Sequence, residues 1–315
     1  MGEFEVRYFY FGLLLLTSFL WAGNFIVGKW LVEHASPMTL TTLRWLIAVL
    51  CLFPIVWGVE KKILPSRKAV LPLLLMGLTG VVLFNVLQFM ALEHTSATNV
   101  GLISTLIALS IAFFSFVFLK EKITFFQVAA MFISLFGVLL VLTNGNIEQL
   151  FSFQFNLGDA FMIGAVCIWG IYVVLSKWAM NYTSPMMATL YSGIFGLLIL
   201  FPFNVSNFTV TNINATFVYS ILYTGAISTV VCIVLWNIGV KNLGASTAGL
   251  FLNFNPVFTV ILAFLLLGER MTFIQIIGSA IVITGCYLFT YFKEKGYSSR
   301  KLVQNPIQGK VGRVS

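Results

Sequence analysis

The chain has 315 residues, of which 59% are hydrophobic and only 9% charged, with a formal net charge of +8. Mean hydropathy is +0.99. A soluble globular protein carries about 25% charged residues, so a water-facing surface cannot be built here, and soluble enzymes and nucleic-acid binders are poor readings.

Ten stretches satisfy the ~20 consecutive apolar residues that a membrane helix needs to cross a ~30 Å hydrocarbon core. They run over 8–32, 38–58, 69–91, 97–118, 123–142, 157–180, 186–203, 214–238, 245–266 and 272–292. Turn or charged residues separate them, such as Ser36-Pro37 and Glu60-Lys61-Lys62. The runs are continuously apolar and do not alternate in period two, so helices are expected and not a β-barrel. The first run is too long for a signal-peptide core and is read as a retained span.

Cytoplasmic loops collect Lys and Arg. With the N-terminus inside, the inner segments hold fourteen of the eighteen cations, including Lys61, Lys62, Arg67, Lys68, Lys120 and Lys122. The outer loops hold only Arg270, and Lys29, Arg44 and Lys177 fall inside spans. Both termini are therefore expected in the cytoplasm, with a basic tail over 293–315 beside the inner leaflet. The four cysteines all lie within spans without CxxC or CxxH spacing, which predicts neither a disulfide framework nor a metal site or cofactor.

A shift of 148 residues aligns the two halves without a gap. Trp21 falls on Trp169, Lys29-Trp30 on Lys177-Trp178, and Ser36-Pro37-Met38 on Ser184-Pro185-Met186. Phe53-Pro54 falls on Phe201-Pro202, Glu121 on Glu269, Thr124-Phe125 on Thr272-Phe273 and Gly137 on Gly285. Chance matches of Leu or Phe are common in such a composition; shared Trp, Lys, Pro and Glu are not. The repeats are placed at 1–142 and 157–292, joined by an outer linker at 143–156. Five spans per repeat is an odd number, so the second copy enters the membrane inverted. That arrangement suits alternating access at a midplane site and makes a transporter the leading class.

The run Trp21-Ala22-Gly23-Asn24-Phe25, the ALEHTSA segment at 91–97, Gly244-Ala245-Ser246, the NPV at 255–257 and LLGERMT at 266–272 resemble the EamA family of the drug/metabolite transporter superfamily. The resemblance implies an all-α polytopic protein of ten helices in two inverted five-helix repeats. It also implies efflux of amino acids, other metabolites or drugs across the cell membrane. The first half departs from the pattern with Lys120 for Gly268, Thr105 for Asn253 and Ala108 for Pro256.

Polar side chains inside hydrocarbon usually face other helices or a cavity. Trp21 and Asn24 sit three apart near mid-depth, as do their mates Trp169 and Tyr172, and each has a helix-packing alternative to ligand contact. Asn85 and Gln88, with Trp236 and Asn237 in the eighth span, are placed nearer the membrane edges, where a vestibule or gate and the central substrate site are equally open readings. Asn253, Asn255 and Pro256 mark a kink in the ninth span, where the freed carbonyl and the Asn side chains either meet a ligand or re-satisfy one another. Arg44 either holds a substrate carboxylate or snorkels to the outer headgroups; its mate is Ser192. Lys29 and Lys177 are expected to snorkel, Asp159 to cap the sixth helix, and Glu121 and Glu269 to cap the helix that follows each or pair across their turns. His34 and His94 are read as loop residues, and the sequons at Asn204, Asn207 and Asn214 as lying near an outer loop.

The substrate expected is a small, partly apolar, neutral or zwitterionic metabolite, amino acids first, moved by facilitated uniport. A proton-coupled or multidrug exporter is the alternative, and a channel or an intramembrane enzyme represents a different class. No nucleophile–base pair, HExxH helix or charged ring supports the latter two. Composition leaves open whether the chain acts as a monomer or a homodimer.

Overall fold

The computed structural model describes residues 3–61, 64–146, 155–267 and 271–304. Ten helices among them are long and apolar enough to cross a membrane. The first five are Val6–Leu31, Pro37–Glu60, Arg67–His94, Asn99–Leu119 and Phe125–Thr143. The second five are Leu157–Ala179, Pro185–Asn204, Ala215–Leu243, Ala245–Leu262 and Phe273–Lys293. The protein is a multi-pass membrane protein of two five-helix repeats. The tenth helix runs on to Gln304, past its predicted end at 292, so the start of the basic tail is helical.

Helix starts repeat between the halves. Ser36 accepts from Thr39 N at 3.3 Å and Ser184 accepts from Met187 N at 3.1 Å, each before a Pro in the first turn. Thr124 with Gln127 forms a reciprocal cap at the fifth helix, and Thr272 with Gln275 does the same at the tenth. Each pair satisfies amide groups that a helix start leaves without intrahelical partners. Asn156 and Asp159 cap the sixth helix in this way, as expected for Asp159.

Lipid tails are as apolar as Leu, so helices associate here through close packing of small residues. The fifth and tenth helices show it most clearly. A Cβ added at Gly137 would lie 2.7 Å from the Gly278 carbonyl oxygen, and one at Gly285 would lie 2.6 Å from Ser134 N. A satellite core of Met131, Val138, Val282 and Phe289 fills this crossing. The remaining helices share one larger core around Trp45, Tyr172 and Trp236. Phe113, Phe116, Phe132 and Phe136 are exposed on the helix flanks, where a bilayer would cover them.

The turns after the fourth and eighth spans meet at the end of the bundle that carries the N-terminal residues, since Glu121 reaches Ala245 and Ser246 there. At the opposite end, Ala35 bridges to Val210 and Thr211 N donates to the His34 carbonyl at 2.8 Å. Of the three sequons, Asn204 is buried: its Oδ1 accepts from Thr39 Oγ1 at 3.2 Å and its Nδ2 donates to Thr42 at 3.1 Å. Asn214 caps the eighth helix through Phe217 N. Asn204 is the last residue of the seventh helix, at the start of the loop where the sequons are expected.

Candidate functional site

Five of the spans are not continuous α-helices, and the irregular turns create the site. The first breaks between Trp21 and Asn24. The fourth and ninth break at Thr105-Leu106 and Leu252-Asn253, one residue apart under the 148-residue shift, which places Thr105 on Asn253. The third and eighth widen into π-helix over Gly77–Leu83 and Tyr223–Val231. A π turn displaces the regular carbonyl ladder and is frequent at functional sites, and here side chains take up carbonyls in both stretches. Asn85 Nδ2 donates to the Gly80 and Val81 oxygens at 2.7 and 3.0 Å. Thr229 Oγ1 donates to the Thr224 oxygen at 2.7 Å, and Trp21 Nε1 donates to the Ser228 oxygen at 2.9 Å. Gly80 must be glycine, since a Cβ would fall 2.2 Å from the Tyr172 ring.

Between these turns lies a cavity of about 320 Å³. Trp21, Asn24, Arg44, Asn85, Trp169, Asn253 and Asn255 all line it. Asn85 and Gln88, which follow the π stretch of the third helix, line the same cavity. Tyr172 and Trp236 are buried behind the wall. Their ring centroids lie 4.8 and 6.4 Å from that of Trp169, so they support it without lining the cavity. Phe84, whose ring centroid lies 4.5 Å from that of Trp169, completes the aromatic side.

The polar side is organised by Arg44, which is only 5% exposed. Its Nε donates to Thr229 Oγ1 at 2.7 Å and its Nη2 to Ser228 Oγ at 3.1 Å. Ser228 Oγ in turn donates to Asn24 Oδ1 at 3.0 Å. Arg44 thus turns inward to the π stretch of the eighth helix and does not snorkel. Neutral hydroxyls solvate it, and no carboxylate among the described residues pairs with it. A guanidinium has five N–H groups, so most remain for a ligand. Opposite, Asn253 Nδ2 donates to Ser134 Oγ at 2.9 Å. Asn85 Oδ1, Asn255 Oδ1 and Trp169 Nε1 are buried without hydrogen-bond partners.

The break expected from Pro256 in the ninth span falls at Leu252-Asn253, where the proline ring excludes the i−4 carbonyl contact of a regular helix. Other expectations need correction. Lys29 does not snorkel: its Nζ donates to the Leu92 and Thr95 carbonyls at 2.5 and 3.1 Å. Lys177 does the same at Val240 and Lys241, at 3.0 and 2.6 Å. Each closes the C-terminal end of a neighbouring helix, where uncapped carbonyls attract a cation. Glu121 does not cap the helix that follows it; it caps the ninth. Glu269, Arg270, Lys62 and Glu148 lie outside the described residues. His34 and His94 make separate backbone contacts, to Thr211 and Met90.

Sequence reasoning missed Phe84, Thr105, Thr259 and Gln275 in the lining. Thr105 was available as the repeat mate of Asn253. Nothing in the spacing signals Ser228 and Thr229, because they reach Arg44 only through the π turn.

A ten-helix bundle with two equivalent halves and a polar, aromatic-walled cavity between them defines a membrane transporter of small molecules. The EamA-like transporter family matches the chain twice, over residues 9–143 and 156–291, and the chain belongs to that family. It is 32% identical over 281 residues to an uncharacterized transporter of Archaeoglobus fulgidus, covering 88% of this chain and 96% of the relative. It is 31% identical over 280 residues to the uncharacterized transporter YyaM of Bacillus subtilis, covering 87% and 90%. It is also 26% identical over 299 residues, 90% of each chain, to an S-adenosylmethionine/S-adenosylhomocysteine transporter of Chlamydia trachomatis. One solved crystal structure superposes with a TM-score of 0.71 at 17% identity, covering 90% of this chain and 97% of that one, and shares the fold.

Proposed function

We propose that the protein moves small zwitterionic metabolites, amino acids and related compounds, out of the cell by alternating access at this cavity. The observation that carries the reading is Arg44: a buried cation on the cavity wall whose side chain donates to the neutral hydroxyls of Thr229 and Ser228. A bare charge in the membrane interior is costly, and a substrate carboxylate would complete its shell through the planar fork. Trp21, Trp169 and Phe84 would hold an apolar side chain, with Asn24, Asn85, Asn253 and Asn255 meeting the amino group and other polar atoms. A phosphate would call for several cations, and Arg44 is the one Arg or Lys lining the cavity among the described residues. The S-adenosyl compounds named for the chlamydial relative themselves carry an amino-acid end, which fits the same head-group contacts.

Energy coupling follows from the lining as well. No Asp, Glu or His lines the cavity among the described residues, and a proton carrier would have to change charge there. The proposal is a uniporter in the plasma membrane, with both termini in the cytoplasm, that lets an accumulated metabolite run down its gradient. Metabolite profiling of medium from overexpressing cells selects the compound, and purified protein in liposomes tests it. Saturable counterflow indifferent to an imposed pH gradient is expected. Uphill accumulation driven by that gradient would sink the uniport reading.

A further inference from the structure

The cavity reaches only one end of the bundle. Its lining extends to Val141 and Leu142 late in the fifth helix, Thr259 and Val260 late in the ninth, and Gln275 early in the tenth. All of these lie toward the end opposite the N-terminal residues. At the N-terminal end the two repeats are bonded to each other by Ser184 Oγ donating to Glu60 and Ser66 Oγ donating to the Tyr182 carbonyl, and at the start of the ninth helix by a third side chain. Glu121, in the turn between the fourth and fifth helices of the first repeat, accepts from Ala245 N at 3.0 Å and Ser246 N at 3.2 Å. It also accepts from Ser246 Oγ at 2.6 Å. Lys293 of the tenth helix closes the same turn, donating to the Leu243 carbonyl at 2.9 Å and to Thr247 Oγ1 at 2.5 Å.

The repeat symmetry shows what is unusual about this contact. The equivalent turn at the other end of the bundle begins the fourth helix, and there Ser96 caps its own helix by accepting from Asn99 N at 3.1 Å. The residue matching Ser96 is Gly244, at φ +90°, which has no side chain to cap with. A Cβ at Gly244 would also stand 3.2 Å from Glu121 Oε1 and 3.1 Å from Lys293 Nζ. The start of the ninth helix therefore depends on the first repeat: separation strips its leading amides and the Glu121 carboxylate of their partners at once.

We propose that Glu121 is the latch that holds the N-terminal side of the bundle shut, so that its loss shifts the protein toward an arrangement open on that side. This rests on the alternating-access reading but requires no substrate, so it can be tested whether or not the transported compound has been found. In a cysteine-free background, Ser18→Cys reports on the N-terminal side, where Ser18 is buried and donates to the Phe251 carbonyl at 2.7 Å. Val260→Cys reports on the cavity mouth. Labelling of the detergent-solubilised protein with a charged thiol reagent should be roughly fivefold faster at Ser18→Cys, and slower at Val260→Cys, once Glu121→Ala is added, as a population shift of about 1 kcal/mol requires. Glu121→Gln, which keeps one acceptor, should move both rates in the same directions by less. Thr124→Ala, which removes the cap of the fifth helix in the same turn, should leave both rates unchanged. If both reporters speed up together, or neither changes, Glu121 is a structural cap only and the latch is wrong.

Discussion

Trp21 of the first repeat and Trp169 of the second meet edge to face, with ring centroids 6.0 Å apart and planes at 78°. The 148-residue shift makes them the same position, so the two copies of one residue touch at the middle of the protein. They are not chemically alike there: Trp21 Nε1 is bonded to Ser228, whereas Trp169 Nε1 has no partner. Trp169→Ala should therefore weaken transport of substrates with large apolar side chains about tenfold, ~1.4 kcal/mol, with less effect on small ones. Competition among amino acids of graded side-chain size, measured as counterflow, checks this.

Arg44→Gln should abolish saturable flux of carboxylates while leaving that of their neutral amides near the wild-type value. Arg44→Lys should fall between, because it keeps the charge without the planar fork. Equal loss of acid and amide transport would show that Arg44 holds the π turn of the eighth helix rather than the ligand.

Gly137→Leu should be among the most destabilising single changes, since the side chain would meet the backbone of the tenth helix at 2.7 Å. Yield and melting temperature in detergent should both drop. Gly12→Leu, at a glycine with nothing within 4 Å of an added Cβ, should leave them unchanged.

Glu121 also predicts a pH dependence. Burial would raise its carboxyl, but Lys293 and the hydrogen bonds from Ser246 and Ala245 prevail and hold it below the ordinary glutamate value. Lys177 faces it from the sixth helix, with Lys241 and Arg7 beyond. A folded-state value below the unfolded one contributes stability above the unfolded value and loses it as pH falls through the folded one. Thermal stability should thus decline as pH drops below 4.5, and Glu121→Gln should flatten that decline.

Orientation is open to direct test. Reporter fusions after Lys62 and at the C-terminus should register in the cytoplasm, and one after Gly145 should register outside. A C-terminus found outside would overturn the positive-inside assignment.

The spans and the repeat were legible because both are written in composition: hydropathy marks the helices, and costly residues such as Trp21, Lys29 and Pro54 mark the duplication. Trp21, Asn24, Arg44, Asn85, Trp169, Asn253 and Asn255 line one cavity because intramembrane polar side chains have few places to go. What stayed hidden depends on backbone geometry that leaves no period in the sequence. Depth along a regular helix left Asn85 and Gln88 open between an edge and the centre, because the π stretch before them leaves no signal in the spacing. Glu121 looked like a local cap because its partners are 124 and 125 residues away.

The two π stretches overlap under the gapless shift, Gly77 falling on Gly225 and Leu83 on Val231, with the second stretch starting two residues earlier at Tyr223. A π turn amounts to one residue inserted into an α-helix. Had the insertions been acquired separately, the halves would have needed them at matching places twice. The simpler history is one event in a five-helix ancestor, before its coding sequence doubled. The later divergence at Ser192 and Arg44, and at Ser96 and Gly244, then records how a once self-paired half came to have a charged face and an uncapped one.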